Sequence, residues 1–304
     1  MKKILITGAL ETTDDFIFSL NKMGYEIVNH KDEREIVPSP EQYEIIVCNA
    51  LFLYNDIKNF ANLKYIQLTS AGYDRVPMDY INENNIKIYN ARGVYSTPIA
   101  EFAVCGILQL YKQSVFFHEN QKNHKWIKHR GLLELYNKNV CIIGAGDIGN
   151  HIAKRLKSFD TNITGVDIYP NKTLWFDECV HLDELKNIIP DSDIVILSLP
   201  LTYDTKNFYN NEKFDLMCEG AIFINISRGE LVDELALINA LITGKLGGAV
   251  LDVFQNEPLD EKNPLWDMKN VIITPHNSFI GNNNRERMYN LIYSNLLNGI
   301  IKEG

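Results

Sequence analysis

Short apolar runs alternate with polar, helix-like segments along the first part of the chain, to about residue 90. Lys3 to Thr7 is apolar and ends at a glycine, a stretch of helical periodicity follows from Asp14 to Met23, and Tyr25 to Val28 forms a second extended run. Further apolar runs occupy Ile45 to Cys48, Tyr65 to Leu68 and Ile86 to Tyr89. Because helices that alternate with apolar strands cover parallel sheets, we predict a small α/β domain with a parallel sheet over residues 1–96.

Two long helices are predicted beyond this region. Ser96 and Thr97 are residue types that cap helices, and Pro98 suits a first helical turn. Apolar residues then recur three and four positions apart, at Ile99, Phe102, Ala103, Ile107 and Leu110. The same spacing returns over residues 285–300, at Met288, Leu291, Ile292 and Leu296. We expect the second helix to return to the first domain, which then comprises residues 1–96 and 282–304.

A clearer alternation fills the middle of the chain. Candidate strands lie at Val140 to Ile143, Ile163 to Val166, Ile194 to Leu197, Ala221 to Ile226, Ala249 to Val253 and Val271 to Thr274. Continuous Val, Ile and Leu runs are typical of strands buried on both faces, so we predict a doubly wound parallel sheet over residues 97–281. Two domains also agree with the length of 304 residues, since a single core stops growing at roughly 250 to 300 residues.

Composition narrows the class of protein. The net charge of -9 disfavours binding to nucleic acid or to an anionic membrane surface. No run approaches the roughly 18 apolar residues of a membrane span, and the apolar start after MKK is too short for a signal-peptide core. The 5 cysteines contain no CxxC pair and lie mostly in apolar runs, which predicts reduced, buried thiols. We expect an unprocessed, soluble, cytoplasmic protein.

A glycine motif gives the first indication of chemistry. Gly144, Gly146 and Gly149 form GAGDIG between an apolar strand and a helical segment, the context that a dinucleotide-binding loop requires. Gly144 permits a tight turn, Gly146 lets the backbone approach a pyrophosphate, and Gly149 lets the helix pack closely on the sheet. The helix N-terminus then offers free N–H groups to the phosphates. An ordinary glycine turn remains the alternative.

Asp167 predicts which dinucleotide binds. It ends the next strand, ITGVD, where a carboxylate accepts hydrogen bonds from the adenosine ribose hydroxyls and repels a 2′-phosphate. Ile168, Tyr169 and Pro170 follow, without an arginine to neutralise such a phosphate. We therefore predict NAD as the cofactor, in preference to NADP. The alternative is that Asp167 only caps a turn.

Three polar residues follow later strands. Arg228 follows AIFINIS, Glu257 lies just past GGAVLDVF, and His276 closes VIITPH. Open α/β sheets bind ligands at such strand ends. Reduction of a 2-oxo acid needs a guanidinium for the carboxylate, an imidazolium as proton donor, and a carboxylate that orients the imidazolium. Taken singly, these residues also fit a capping arginine, a solvated turn carboxylate and a hydrogen-bonded histidine.

Several motifs in order carry a family resemblance. They are SAGYDRVP (Ser70 to Pro77), NARGVYSTPIAEFAV (Asn90 to Val104), GAGDIG, SLPLT (Ser198 to Thr202), NISRGELVDE (Asn225 to Glu234), AVLDVFQNEPL (Ala249 to Leu259) and ITPH (Ile273 to His276). From about Leu68 to Phe279 the chain resembles the D-isomer-specific 2-hydroxyacid dehydrogenases. The first 65 residues match only in general pattern.

The resemblance implies a smaller, flavodoxin-like α/β substrate domain beside a doubly wound NAD-binding domain, and it implies a set of residue roles. Arg228 would bind the substrate carboxyl and carbonyl groups, His276 would be the general acid/base and Glu257 its partner. The backbone around Ala71 and Gly72 would receive the substrate carboxylate, in a cleft between the two domains. The remaining implied contacts are with NAD: Asp147 and Ile148 at the pyrophosphate, Asp252 at the nicotinamide end, and Pro200, Ile226 and Ser96 along the cofactor groove. The resemblance further implies a homodimer and a small 2-hydroxy or 2-oxo acid as substrate.

The chain also departs from the family pattern. Tyr95 stands where many relatives have asparagine, and the sequence NSFIG after His276 places Phe279 near the expected nicotinamide pocket. Glu257 argues for hydroxyacid chemistry, because related formate dehydrogenases have glutamine there. No extension follows the last helix, so we expect no regulatory domain of the kind attached to some phosphoglycerate dehydrogenases.

Other classes of protein fit less well. An NAD(H)-sensing binding protein of the same fold, like the related C-terminal-binding corepressors, is the main alternative; the intact Arg, Glu and His set weighs against it. A Rossmann methyltransferase would not need Asp167 together with the later strand-end residues. We predict no metal site, since His118, His124 and His129 lack zinc-type spacing.

Overall fold

The computed structural model describes residues 1–299. The chain divides into two compact units, one formed by Met1–Tyr95 with the segment from Gly281 onward, and the other by Ser96–Ile280. Residues 300–304, which the sequence analysis assigned to the first domain and, for Ile300, to its last helix, lie outside the described residues.

The first unit contains a five-stranded parallel sheet. Its strands are β1 (Lys2–Thr7), β2 (Tyr25–His30), β3 (Ile45–Cys48), β4 (Tyr65–Leu68) and β5 (Lys87–Tyr89). Their spatial order is β2-β1-β3-β4-β5, which is the flavodoxin-like order. The helices of this unit are α1 (Asp14–Lys22), α2 (Met78–Glu83) and, near the end of the chain, α9 (Asn284–Gly299). The predicted flavodoxin-like class is confirmed.

Alternation along the strands places helices on both faces of this sheet. Ile4 and Ile6 pack in one apolar cluster and Leu5 in another, because successive strand residues point to opposite faces. The first cluster contains Phe16 of α1, whose ring stacks on Tyr289 of α9 with centroids 3.9 Å apart. The C-terminal helix therefore completes the core of the first unit.

The second unit contains a seven-stranded sheet, all of whose pairings are parallel. Its strands are β6 (Asn139–Ile143), β7 (Asn162–Asp167), β8 (Glu178–His181), β9 (Ile194–Leu197), β10 (Ala221–Asn225), β11 (Leu246–Leu251) and β12 (Val271–Ile273). Its helices are α3 (Ser96–Tyr111), α4 (Ser114–Lys122), α5 (Asp147–Leu156), α6 (Leu185–Ile188), α7 (Asn211–Leu216) and α8 (Glu234–Ile242). The order β12-β11-β10-β9-β6-β7-β8 confirms the doubly wound prediction.

This strand order positions the candidate site. The order reverses between β6 and β9, and ligands of open α/β sheets bind beyond the carboxyl ends of the strands at such a point. The glycine motif follows β6. On the other side, β10, β11 and β12 are consecutive neighbours, so the residues that follow them lie along one edge of the sheet.

Two sequence predictions need correction. Strand β8 was missed, because it is an edge strand whose Glu178 and His181 are exposed and which therefore lacks an apolar run. Cys105 was predicted to be buried and is exposed, since it lies on the outer face of α3. Cys48 and Cys141, which lie in strands covered on both faces, are buried as expected.

Within residues 1–299, no helix combines the length and the apolar character needed to cross a membrane.

Candidate active site

The glycine-rich loop joins β6 to α5, and its three glycines differ in their surroundings. Gly144 has φ +101°, and a Cβ there would lie 2.6 Å from the carbonyl oxygen of Ser198. A Cβ on Gly149 would lie 2.1 Å from the carbonyl oxygen of Gly144. Gly146, the residue before the first turn of α5, has an ordinary φ of -72° and open space where its Cβ would be.

The open space in front of Gly146 leaves room for a ligand beside the first turn of α5. The first backbone N–H groups of a helix have no intrahelical acceptor and favour an anion. The loop would therefore hold the phosphates of a dinucleotide through backbone groups, as the sequence predicts. Asp147 begins α5 and accepts a hydrogen bond from Ser96, the buried first residue of α3. Ile148 is half-buried in the same turn.

Asp167 ends β7 and lies against the glycine loop. Its Oδ2 accepts a hydrogen bond from the Ala145 amide at 2.9 Å, and its Oδ1 accepts one from the Tyr169 amide at 3.0 Å. The turn-capping alternative is therefore realised in this structure. A carboxylate oxygen accepts more than one hydrogen bond, so the contact with a ribose hydroxyl stays a prediction.

Two further predicted cofactor residues follow the central strands. Pro200 lies exposed after β9, and its carbonyl accepts the Thr205 hydroxyl at 2.8 Å. Ile226 follows β10 and is buried. Both residues thus lie at the carboxyl edge of the sheet.

Arg228 lies three residues beyond β10, half-buried. The Asn225 side chain donates to the Arg228 carbonyl at 2.9 Å, and the Arg228 guanidinium donates through Nη1 to the Ser227 carbonyl at 2.8 Å. These contacts fix the turn that carries the guanidinium. The predicted role of Arg228 with the substrate carboxylate stays a prediction.

His276 and Glu257 form a hydrogen-bonded pair. His276 Nδ1 lies 2.8 Å from Glu257 Oε2, and Glu257 Oε1 accepts the Phe254 amide at 3.1 Å. Because the carboxylate accepts, Nδ1 carries the proton of this hydrogen bond and Nε2 is the ring nitrogen left for other chemistry. Both side chains are about one-third exposed, at 29% and 37%. The pair can therefore hold a proton and exchange it with a ligand.

Asp252 holds the segment that carries His276. It is fully buried, and Oδ1 accepts the Thr274 hydroxyl at 2.6 Å and the Asn277 amide at 2.7 Å. Oδ2 accepts the Ser278 amide at 2.9 Å, and the Asp252 carbonyl accepts the His276 amide at 2.8 Å. The family resemblance implied Asp252 only as a nicotinamide contact, and nothing in the sequence pattern shows which loop a buried carboxylate holds.

Phe279 lies beside His276, the predicted general acid/base. Its ring meets the His276 ring edge to face, with centroids 6.0 Å apart.

The predicted substrate residues Ala71 and Gly72 belong to the first unit, on the loop after β4. The Ala71 carbonyl accepts Asn90 Nδ2 at 2.6 Å, and the Gly72 carbonyl accepts the Ser70 hydroxyl at 3.0 Å. Both loop carbonyls are thus held within that unit.

Over residues 1–299, no group of three or more His, Cys, Asp or Glu side chains has an arrangement that could hold a metal ion.

The sequence and fold match known proteins. Residues 104–278 match the family described as D-isomer specific 2-hydroxyacid dehydrogenase, NAD binding domain. D-3-phosphoglycerate dehydrogenase of Methanocaldococcus jannaschii is 32% identical over 281 residues, which cover 91% of this chain and 53% of that protein. This chain thus spans about half the length of that relative. An enzyme of Clostridioides difficile named D-2-hydroxyacid dehydrogenase (NAD(+)) is 31% identical over 270 residues, covering 83% of this chain and 80% of that enzyme.

A solved structure supports the same relationship. The D-isomer specific 2-hydroxyacid dehydrogenase of Xanthobacter autotrophicus Py2, determined in complex with NADPH and MES, superimposes with a TM-score of 0.80 at 26% identity, covering 97% of this chain and 94% of that chain. The chain therefore belongs to the D-isomer specific 2-hydroxyacid dehydrogenase family, and residues 104–278 are the NAD-binding domain of that family.

Proposed function

We propose that this NAD-dependent dehydrogenase interconverts a D-2-hydroxy acid and its 2-oxo acid. The observation that carries the proposal is the His276–Glu257 pair, whose Nδ1 and Oε2 atoms lie 2.8 Å apart. The buried Asp252 holds the segment that carries His276. This segment lies at the same edge of the sheet as Arg228. A proton donor and a guanidinium are the groups that reduction of a 2-oxo acid demands. Relatives named for this chemistry support the proposal.

The residues of the chain have distinct tasks. Protonated His276 donates the Nε2 proton to the carbonyl oxygen of the 2-oxo acid as that oxygen gains negative charge. Glu257 orients the ring through Nδ1 and stabilises the imidazolium before the proton leaves. Arg228 binds the substrate carboxylate with its forked N–H groups and so aligns the carbonyl. NADH, when bound at the glycine loop, supplies the hydride.

Asp167 favours NAD in this proposal. Its carboxylate lies against the loop that would hold the pyrophosphate, as its hydrogen bond with the Ala145 amide shows. A 2′-phosphate beside it would add a like charge. Since the relative from Xanthobacter autotrophicus Py2 was determined with NADPH, preference for NAD is a specific claim about this chain.

We also propose a homodimer. An apolar surface follows α4 in the second unit, where Trp126 is 97% exposed. Ile127, Leu132, Leu133 and Tyr136 are exposed in the same segment. Exposed apolar surface of this kind is typical of an interface with another chain, and we name residues 126–136 the apolar arm. A second copy of the chain is the proposed occupant.

A substrate panel tests the proposed activity. NADH oxidation should be measured with glyoxylate, pyruvate, hydroxypyruvate, its phosphate, and branched and aromatic 2-oxo acids. The expected result is saturable turnover with at least one 2-oxo acid whose reduction gives a chiral product. Chiral chromatography should identify that product as the D enantiomer. An L product, or no turnover with any 2-oxo acid, would contradict the proposal.

A further inference from the structure

We infer that Asn150 and Thr173 are positioning residues for the dinucleotide: they fix the peptide groups of the glycine loop in the orientation that receives the pyrophosphate. This inference rests on the proposed function, since it concerns the same NAD site. Neither residue belongs to the GxGxxG pattern. Asn150 lies in the first turns of α5, and Thr173 lies in the loop after β7.

The Asn150 side chain bonds both carbonyls of the loop. Its Nδ2 donates to the Ala145 carbonyl at 2.8 Å and to the Gly146 carbonyl at 2.8 Å. The Gly146 carbonyl also accepts the Asn150 backbone amide at 3.0 Å. One side-chain amide therefore restrains two consecutive peptide groups.

These two bonds determine where the neighbouring N–H groups point. In a planar trans peptide the N–H lies opposite the C=O. With the Ala145 and Gly146 carbonyls directed at Asn150, the amides of Gly146 and Asp147 are directed away from it. The open space in front of Gly146, where a Cβ would meet no atom within 4 Å, leaves room for phosphate oxygens.

Thr173 determines which end of the Asn150 amide faces the loop. Its hydroxyl donates to Asn150 Oδ1 at 2.6 Å. This bond uses the oxygen of the side-chain amide and leaves the NH₂ group for the two carbonyls. A flipped amide would place Oδ1 against two carbonyl oxygens, which repel it. Thr173 therefore acts on the glycine loop through Asn150.

Ala145 is held on both sides of its peptide linkages. Its amide donates to Asp167 Oδ2 at 2.9 Å, and its carbonyl accepts from Asn150. Asp167 and Thr173 flank the same loop after β7. The side chains that we expect beside the ribose and beside the pyrophosphate thus form one connected network around Ala145.

A loop with glycines needs such restraint. Glycine loses more conformational freedom on ordering than any other residue, and a loop ordered before binding avoids that cost when the ligand arrives. Removal of Asn150 should therefore weaken binding of NADH even though the side chain makes no direct contact in the proposal.

The experiment compares five variants with the wild-type protein: Asn150→Ala, Thr173→Val, Thr173→Ser, the Asn150→Ala, Thr173→Val double variant, and Asn84→Ala. Asn84 is the matched control: it follows α2 in the first unit, and its Nδ2 also donates to a carbonyl four residues earlier, that of Tyr80. The readouts are the NADH dissociation constant by fluorescence titration, amide hydrogen exchange of residues 144–148 without nucleotide, and the midpoint of thermal unfolding.

We expect Asn150→Ala to raise the NADH dissociation constant about tenfold and to speed exchange of the loop amides. Thr173→Val should raise the constant about threefold, Thr173→Ser should restore it, and the Asn150→Ala, Thr173→Val double variant should equal Asn150→Ala alone. Asn84→Ala should bind NADH like the wild type. If Asn150→Ala folds and binds NADH within twofold of the wild type, the inference is overturned.

The outcomes separate this inference from the proposed function. Wild-type protein that binds NADH but reduces no 2-oxo acid contradicts the function, while the variants still decide the inference through binding. Wild-type protein that does not bind NADH overturns both. If Asn150→Ala is too unstable to study, Thr173→Val decides: unchanged binding and unchanged loop exchange overturn the inference.

Discussion

His276 combines a chemical role with an unusual backbone conformation. Its φ is +51°, a left-handed conformation that few residues other than glycine adopt, and in which Asn, Asp and His are enriched. Asp252 maintains this conformation by accepting the amides of Asn277 and Ser278 on the far side of the turn. The proton donor is therefore held in place by buried hydrogen bonds as well as by Glu257.

Asp167 sets the preference between the two nicotinamide dinucleotides in our account. Asp167→Asn keeps an oxygen for the Ala145 amide but removes the charge that repels a 2′-phosphate. We expect the ratio of kcat/KM for NADH to that for NADPH to fall about tenfold or more. Asp183→Asn, which removes an exposed carboxylate after the neighbouring strand β8, is the control. An unchanged ratio in Asp167→Asn would show that other residues set the preference.

The thiols should differ sharply in reactivity. Burial raises the pKa of Cys141 to about 12 and raises that of Cys48 well above its ordinary value, so both stay neutral, and shielded, near neutral pH. Cys105 is exposed on α3. In native protein at pH 7.5, a maleimide should modify Cys105 and leave Cys48 and Cys141 unmodified until the protein unfolds, as peptide mass spectrometry would show. Equal labelling of Cys141 and Cys105 would contradict the described packing.

At the residue scale, sequence reasoning found the groups with chemistry but not those that hold them. Arg228, Glu257 and His276 were predicted because their residue types suit a reaction and each follows a strand. Asn150, Thr173 and Thr274 were not, since a side chain that bonds a loop carbonyl or a buried carboxylate carries no spacing signal. The hydrogen-bond partners of these three residues are known only from the structure.

The glycine loop and α5 form the element on which cofactor binding depends. Substitutions at its glycines should have different effects, because the glycines differ in their surroundings. Gly149→Ala places a methyl group 2.1 Å from the Gly144 carbonyl oxygen, and such overpacking costs about 1–3 kcal/mol of unfolding free energy. Urea denaturation of this variant should show that loss.

Gly146→Ala should behave differently, because its Cβ meets no protein atom and its φ of -72° suits alanine. We expect the free energy of unfolding to stay within about 0.5 kcal/mol of the wild-type value. The NADH dissociation constant should rise at least about tenfold, since the methyl group occupies the space in front of the loop. If the Gly146→Ala variant folds and binds NADH as tightly as the wild type, the pyrophosphate does not lie in front of Gly146.

Elements with strong apolar runs were predictable, and weakly patterned ones were not. Strands β3, β4 and β9 coincide with the predicted runs, because strands buried on both faces consist almost entirely of apolar residues. The exception in these three strands is the buried Gln67 of β4. Strand β8 lies at the sheet edge, and the short helices α6 and α7 bury only one residue each, Leu185 and Phe214. With so little buried surface, their sequences are under weak constraint.

At the scale of the whole molecule, the fold class followed from the order of elements. Parallel strands with helical crossovers allow few topologies, and both sheets adopt known ones, β2-β1-β3-β4-β5 and β12-β11-β10-β9-β6-β7-β8. The order of strands in space was not predictable strand by strand, because every central strand has a similar apolar sequence. The spatial order therefore became known only from the structure.

The apolar arm, residues 126–136, predicts the oligomeric state. Light scattering of the wild-type protein at micromolar concentration should give the mass of a dimer, twice 34.9 kDa. Replacing Trp126 and Ile127 together by Ser should give a monomer, because apolar burial drives such association. Leu235→Ser, which alters an equally apolar, 79% exposed residue on α8, is the control. A monomeric wild-type protein, or a doubly substituted protein that stays dimeric, would refute this interface.

The rate of NADH oxidation by the His276→Asn variant is the decisive measurement of the proposed proton donation. Asparagine tolerates the left-handed φ of this position but cannot donate the proton as an imidazolium does. With the best 2-oxo acid from the panel, we predict turnover lower by about 10²- to 10⁴-fold and an NADH dissociation constant within twofold of the wild type. Wild-type turnover in His276→Asn would contradict the account.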